Sequence, residues 1–130
     1  MIIGVGMKNI KTKLLFLCSA NMDRSPAAES LFKHSKKFEA KSAGLSELTE
    51  NPVTNQAIKW ADVILVMDER NERHKSILLK NFPEAENKDI RILNIKNDFC
   101  RHDKELERLL RIGLEREGIE VVEWKMSGET

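Results

Sequence analysis

The 130-residue sequence predicts an α/β fold built on a parallel sheet. Two observations carry this. Short uninterrupted apolar runs, such as Leu14-Leu15-Phe16-Leu17-Cys18 and Val63-Ile64-Leu65-Val66-Met67, have the composition of strands covered by helices on both faces. Between such runs lie stretches with helical spacing of apolar residues, and that alternation defines βαβ units. The length suffices for one core and is too short for two. A single domain over residues 1–130 is therefore expected, with 1–12 as a weakly ordered extension and 119–130 as a tail.

In chain order, Lys13 to Cys18 is the first buried strand. A helix is expected from Pro26 towards Lys36, with Ser25 as N-cap and proline at the first helical position, where its missing N–H costs nothing. Phe38 to Ser42 forms a more exposed second strand, ended by Gly44. A polar connection, Leu45 to Thr54, contains Asn51-Pro52 and leads to a short helix over Val53 to Trp60, whose Trp60 packs in the core. Asp62 to Met67 is the third strand. Glu69 to Phe82 reads as an amphipathic helix stopped by Pro83. Ile90 to Ile95 is the fourth strand. The last helix runs from Lys104 to Glu117, with Leu106, Leu109, Leu110 and Leu114 on one face and Gly118 as C-cap. The stretch Ile119 to Trp124 is a candidate edge strand.

Composition narrows the functional classes. Hydrophobic residues at 41% and charged residues at 33% are the balance of a soluble globular chain. A net charge of +1 gives no electrostatic ground for a nucleic-acid or membrane partner. The run Leu14 to Cys18 is far short of the roughly 20 apolar residues a bilayer requires. Met1 to Gly6 lacks the pattern of a secretion leader, and Met7 is an alternative natural start. Two cysteines make no disulfide framework, so a cytoplasmic location is expected. His34, His74 and His102 lack metal-site spacing and are expected at exposed helix and loop positions.

The chemistry lies between the first strand and the first helix, in Cys18-Ser19-Ala20-Asn21-Met22-Asp23-Arg24-Ser25-Pro26. Five residues separate the cysteine from the arginine. A loop of that length can curl so that successive N–H groups form an anion-binding nest, and the following helix aims its positive end at the same point. Arg24 adds a planar fork that grips two oxygens at once. Helix N-termini and nearby cations stabilise thiolates, making Cys18 the candidate nucleophile. Ser25 is placed to hydrogen-bond the departing thiolate and Asn21 to pin the loop. Ligands of open α/β sheets bind at this kind of strand-to-helix turn. The expected oxyanion site is Ser19, Ala20, Asn21, Met22, Asp23, Arg24 and Ser25.

Leu15 to Asn21 with Arg24-Ser25-Pro26-Ala27-Ala28-Glu29 resembles the loop of the low-molecular-weight protein tyrosine phosphatase family, with its preceding strand and following helix. Lys41-Ser42-Ala43-Gly44 resembles the family's Ser-Ala-Gly after the second strand. Ala61 to Asp68 resembles its third strand, and Leu93 to Phe99 falls where it carries its general-acid loop. The likeness covers about residues 13 to 117 and is closest to a short subgroup of predicted phosphatases. It implies a flavodoxin-like, three-layer α/β/α fold around a four-stranded parallel sheet of order 2-1-3-4. It also implies phosphomonoester hydrolysis through a cysteinyl-phosphate, without a metal or other cofactor.

Three departures qualify the resemblance. Asp23 stands where a typical member has a second cysteine. A like charge about 4 Å from thiolate and phosphate costs about 4 kcal/mol at an effective dielectric near 20, and about 1 kcal/mol in water, so the direction Asp23 faces decides its effect. In the acid loop, Ile95-Lys96-Asn97-Asp98-Phe99, Asn97 occupies the acid's position. Asp98 is the candidate acid. Asp103 is the other carboxylate, and it reads equally as the N-cap of the last helix. The stretch from Gly44 to Trp60 is short, which implies an open cleft.

The expected activity is a cysteine-dependent phosphatase acting on a phosphorylated protein or small aryl phosphate, with Cys18, Arg24 and Asp98 as catalytic residues. Inorganic phosphate or sulfate is expected to bind the loop. The alternatives are a phosphate- or phosphoprotein-binding module that has lost catalysis through Asp23 and Asn97, and an arsenate reductase. The reductase needs more thiols than Cys100 alone supplies. The mixed-charge stretch Glu69 to Lys75 reads as a solvated helix face.

Overall fold

The computed structural model describes residues 10–121. Four strands, β1 (Thr12–Cys18), β2 (Phe38–Gly44), β3 (Val63–Val66) and β4 (Asp89–Ile92), form one sheet of order β2-β1-β3-β4. Every neighbouring pair is parallel. The helices are α1 (Arg24–Ser30), α2 (Asn55–Trp60), α3 (His74–Asn81) and α4 (Lys104–Arg116), with a 3-10 turn over Pro83–Asn87. This is the flavodoxin-like architecture expected, with the strand order expected.

Alternation along β1 divides the core in two. Leu14, Phe16 and Cys18 face one layer with Ala28, Phe32, Leu106, Leu110 and Leu114 from α1, its following turn and α4. Leu15 and Leu17 face the other, with Ile58 and Leu78 from α2 and α3. Trp60 lies partly buried on this second layer.

Several elements differ from the sequence reading. The first strand begins at Thr12, within the expected extension. Helix α1 begins at Arg24, so Ser25 is not the N-cap but lies fully buried inside the first turn. It ends at Ser30 instead of Lys36; the Ser30 hydroxyl donates back to the Ala27 carbonyl, and irregular turns follow. Helix α3 starts at His74, five residues after Glu69, because side chains take over the backbone there. Asp68 Oδ2 accepts from the N–H groups of Asn71 and Glu72, Glu69 caps Lys75 and Ser76, and Arg73 is left-handed at φ 58°. Helix α4 has Asp103 as N-cap, accepting from Glu105 N–H, and Gly118 beyond its end at φ 79°. Residues 119–121 form no strand, and 122–124 of that candidate strand lie outside the described residues, as do 1–9.

Gly44 sets how closely β2 approaches the Cys18 loop. A Cβ there would stand 2.9 Å from the Ser19 carbonyl oxygen and 2.8 Å from Thr49 Cγ2. Since the first contact is backbone, Gly44→Ala is expected to displace the loop and destabilise the protein by about 1–3 kcal/mol. The midpoint of urea unfolding measures it, and an unchanged midpoint would contradict this packing account.

Candidate active site

Parallel pairing brings the C-terminal ends of β1, β2, β3 and β4 to one edge of the sheet. The connections that follow them build the site. Cys18 ends β1, 3% exposed, with its sulfur 3.0 Å from Ser25 Oγ.

Donor accounting orients that contact. Asn51 Nδ2 donates to the Ser42 carbonyl and to Asn21 Oδ1; Asn21 Nδ2 in turn donates to Ser25 Oγ at 2.8 Å. Ser25 Oγ accepts from Asn21 and keeps its own proton free, which it can donate to a Cys18 thiolate, since a thiolate can only accept. The chain fixes both amides and ends on the Cys18 sulfur. Asn21 holds φ at 58°, a conformation asparagine tolerates better than most residues. The connection after β2 closes over the loop from the other side: Leu45 and Ser46 N–H donate to the Cys18 and Ser19 carbonyls, and Thr49 Oγ1 donates to the Ala20 carbonyl. Among the described residues, none accepts a hydrogen bond from the backbone N–H groups of Ser19 to Ser25.

Arg24 is 2% exposed. Its Nη1 donates to Glu72 Oε2 at 2.6 Å and to the Ile95 carbonyl at 2.8 Å, and its Nη2 donates to Glu72 Oε1 at 2.7 Å. Three of five N–H groups are thus committed, both of those on Nη1 and one on Nη2. Nε–H and the second Nη2–H remain, and these two form the side fork that matches two oxygens of a phosphate.

Glu72 was not singled out by the sequence reading, which placed it on a solvated helix face. It is instead the counter-charge of the site. The Arg24 guanidinium, with help from the Ser19 hydroxyl, holds its carboxyl below the usual range against the opposing effect of burial. His74 is likewise corrected: it is fully buried, while His34 and His102 are exposed. Its Nδ1 accepts from Asp68 N–H, so the ring proton lies on Nε2, 2.9 Å from Ser19 Oγ. The Ser19 hydroxyl in turn donates to Glu72 Oε1 at 2.9 Å. Burial pushes the His74 pKa down, opposed by Glu72, so the neutral ring is favoured. The signal that would have found both residues is their position after the C-terminal end of a buried strand, the same rule that singled out Cys18.

Asp23 accepts from the backbone N–H of Arg101 at 3.0 Å, so its carboxylate is engaged by the connection after β4. That connection also carries Asn97, Asp98 and Cys100, all exposed, and Phe99, which packs against the core. Asp98 pairs with Lys96 at 3.3 Å. Beside the loop opens a cleft of about 460 Å³, bordered by the exposed apolar side chains of Met22 and Leu48, with Glu50 and Asn51 on its wall. Among the described residues no His, Cys, Asp and Glu group could hold a metal ion, and no helix is long and apolar enough to cross a membrane.

Comparison with known proteins agrees with this geometry. The family model for low molecular weight phosphotyrosine protein phosphatase matches residues 13–61, which contain β1, the Cys18 loop, α1, β2 and α2. No curated protein matches the chain in sequence. In fold it is similar to SP-PTP, a low molecular weight protein tyrosine phosphatase from Streptococcus pyogenes, at 20% identity and a TM-score of 0.65, covering 91% of this chain and 95% of that one. The tyrosine phosphatase Wzb from Escherichia coli K30, in complex with phosphate, matches at 20% identity and 0.64, over 83% of this chain and 96% of that one. YwlE arginine phosphatase from Geobacillus stearothermophilus matches at 22% and 0.59, over 82% and 94%. The likeness to the low-molecular-weight phosphotyrosine phosphatases is thereby shown, in sequence over residues 13–61 and in fold throughout the sheet.

Glu72→Ala leaves a buried guanidinium without its counter-charge and is expected to cost about 2–4 kcal/mol. Because the folded-state carboxyl titrates below its unfolded value of 4.5, the wild type's advantage is complete above that pH. It fades as pH falls through the folded value, which urea unfolding at pH 7 and pH 3 compares. His74 acts in a neighbouring window. Its unfolded value of 6.5 is lowered on folding, so the unfolded chain binds more protons and wild-type stability declines as pH drops below 6.5. His74→Gln, which cannot titrate, should show a shallower decline in Tm between pH 6.5 and 5.

Proposed function

We propose that the chain is a cysteine-dependent phosphomonoesterase acting on phosphotyrosine or another aryl phosphate. The observation that carries this is that one strand-to-helix loop holds the buried Cys18 sulfur, a buried Arg24 whose side fork is uncommitted, and backbone N–H groups from Ser19 to Ser25 that no described residue accepts from. A phosphoryl group seated there has its charge met by oriented donors, which is where catalysis of this reaction chiefly comes from.

The Cys18 thiolate attacks phosphorus in line, forming an S–P bond as the P–O ester bond breaks. Asp98 donates its proton to the departing oxygen. Water, deprotonated by the same carboxylate, then cleaves the S–P bond and releases inorganic phosphate. The sulfur departs as a thiolate stabilised by the Ser25 hydroxyl. Asp98 rather than Asp103 takes the acid's role, because the Asp103 carboxylate is engaged as the cap of α4. Met22 and Leu48 give the adjoining cleft an apolar border suited to an aryl group. Both cysteines are free thiols, in keeping with a reducing cytoplasm.

A second reading, a phosphate-binding module without turnover, is favoured by Asn97 at the family's acid position and by the exposure of Asp98. Hydrolysis of p-nitrophenyl phosphate separates the two. The phosphatase reading expects turnover by the wild type, none by Cys18→Ser, and a loss of about 10²–10³ in kcat/KM for Arg24→Lys, which lacks the fork. Phosphate binding without turnover, insensitive to Asp98→Asn, would establish the module instead.

A further inference from the structure

We propose that Asp23 is a positioning residue for the acid loop, fastening it to the phosphate cradle so that Asp98 is held at the leaving-group side. This rests on the phosphatase reading above and extends it to a residue that, by charge alone, opposes phosphate binding.

The loop from Lys96 to Cys100 is anchored at both flanks by consecutive cradle residues. Ahead of it, the Ile95 carbonyl accepts from Arg24 Nη1 at 2.8 Å. Behind it, the Arg101 N–H donates to Asp23 Oδ1 at 3.0 Å. Between the anchors, Phe99 is held against the core, and the Asp98 ion pair with Lys96 stays within the loop. A five-residue span with its ends fixed to residues 23 and 24 has little freedom to carry Asp98 away from the cradle.

Local chemistry explains why Asp23 is available for this. Asp23 stands at the N-cap of α1, where an aspartate ordinarily accepts from the N–H of the second or third helical residue. The third is Pro26, which has no N–H, and Asp23 makes no side-chain cap hydrogen bond. The carboxylate is turned instead to Arg101. The Cys100 carbonyl accepts from Asp103 N–H, and Asp103 caps α4, so the far anchor is continuous with a helix packed in the core.

Asn keeps an acceptor oxygen at this position without the charge, and Ala keeps neither. An acid held in place makes the rate less dependent on the quality of the leaving group. The ratio of kcat/KM for p-nitrophenyl phosphate over phenyl phosphate is expected to rise about tenfold or more in D23A, as in D98N, and to stay near wild type in D23N. The double variant D23A/D98N should show no higher ratio than D98N alone. A wild-type ratio in D23A, or equal changes in D23A and D23N, would overturn the inference, the latter pointing to charge alone. Amide hydrogen exchange at Arg101 reads the anchor without turnover: it should quicken about tenfold or more in D23A and not in D23N. Equal exchange in all three proteins overturns the anchor. A wild type inactive on both esters, with the exchange difference intact, overturns the phosphatase reading and leaves Asp23 as a loop anchor only.

Discussion

A guanidinium buried to 2% exposure is the constraint around which the rest of this site is arranged. An arginine cannot shed its charge, so burial is tolerable only with a counter-ion and acceptors for its donors. Glu72 supplies the first and, with the Ile95 carbonyl, accepts three of the five N–H groups, leaving the side fork open. These partners come from the connections after β3 and β4, while Arg24 follows β1. One side chain therefore draws three strand ends together, and the cradle's geometry depends on segments far from it in sequence.

Two hydrogen-bond systems meet at the cradle and serve opposite needs. The Cys18 sulfur lies at the end of one, in which Asn51, Asn21 and Ser25 follow in series without a formal charge. The arginine requires acceptors, which Glu72 provides, itself supported by Ser19 and a neutral His74. The amide series ends on Cys18 and the Glu72 carboxylate on Arg24, so each receives partners of the kind it needs. Asp23 follows the same logic, since its carboxylate is engaged by a backbone amide of the β4 connection.

What could be read from the sequence was what is local. The strand, loop and helix around Cys18 lie within one βα unit, so spacing, apolar pattern and the helix start define them together. The sheet order followed from the family resemblance. Glu72 and His74 were not legible because the Glu69 to His74 charges match a solvated helix face, and only tertiary contact with Arg24 and Ser19 gives them a different role. The same contacts explain the late start of α3: a carboxylate at Asp68 that caps two amides competes successfully with helix propagation. Ser25 was misread as a cap because Ser-Pro is a sound start signal, whereas burial against Cys18 is a property of the folded loop.

Asn21 shows how narrowly such a loop restricts substitution. Its backbone occupies the left-handed region, its amide oxygen must accept from Asn51, and its amide nitrogen must donate to Ser25. Glycine meets the first demand and neither of the others. Aspartate tolerates the backbone and satisfies Asn51, but offers Ser25 no proton and sets a charge near the sulfur. Serine is too short to serve both neighbours, and glutamine places its amide one methylene too far. Three independent requirements converge on a single side chain, so variation at this position is closed even though the residue is polar, partly exposed and on a loop.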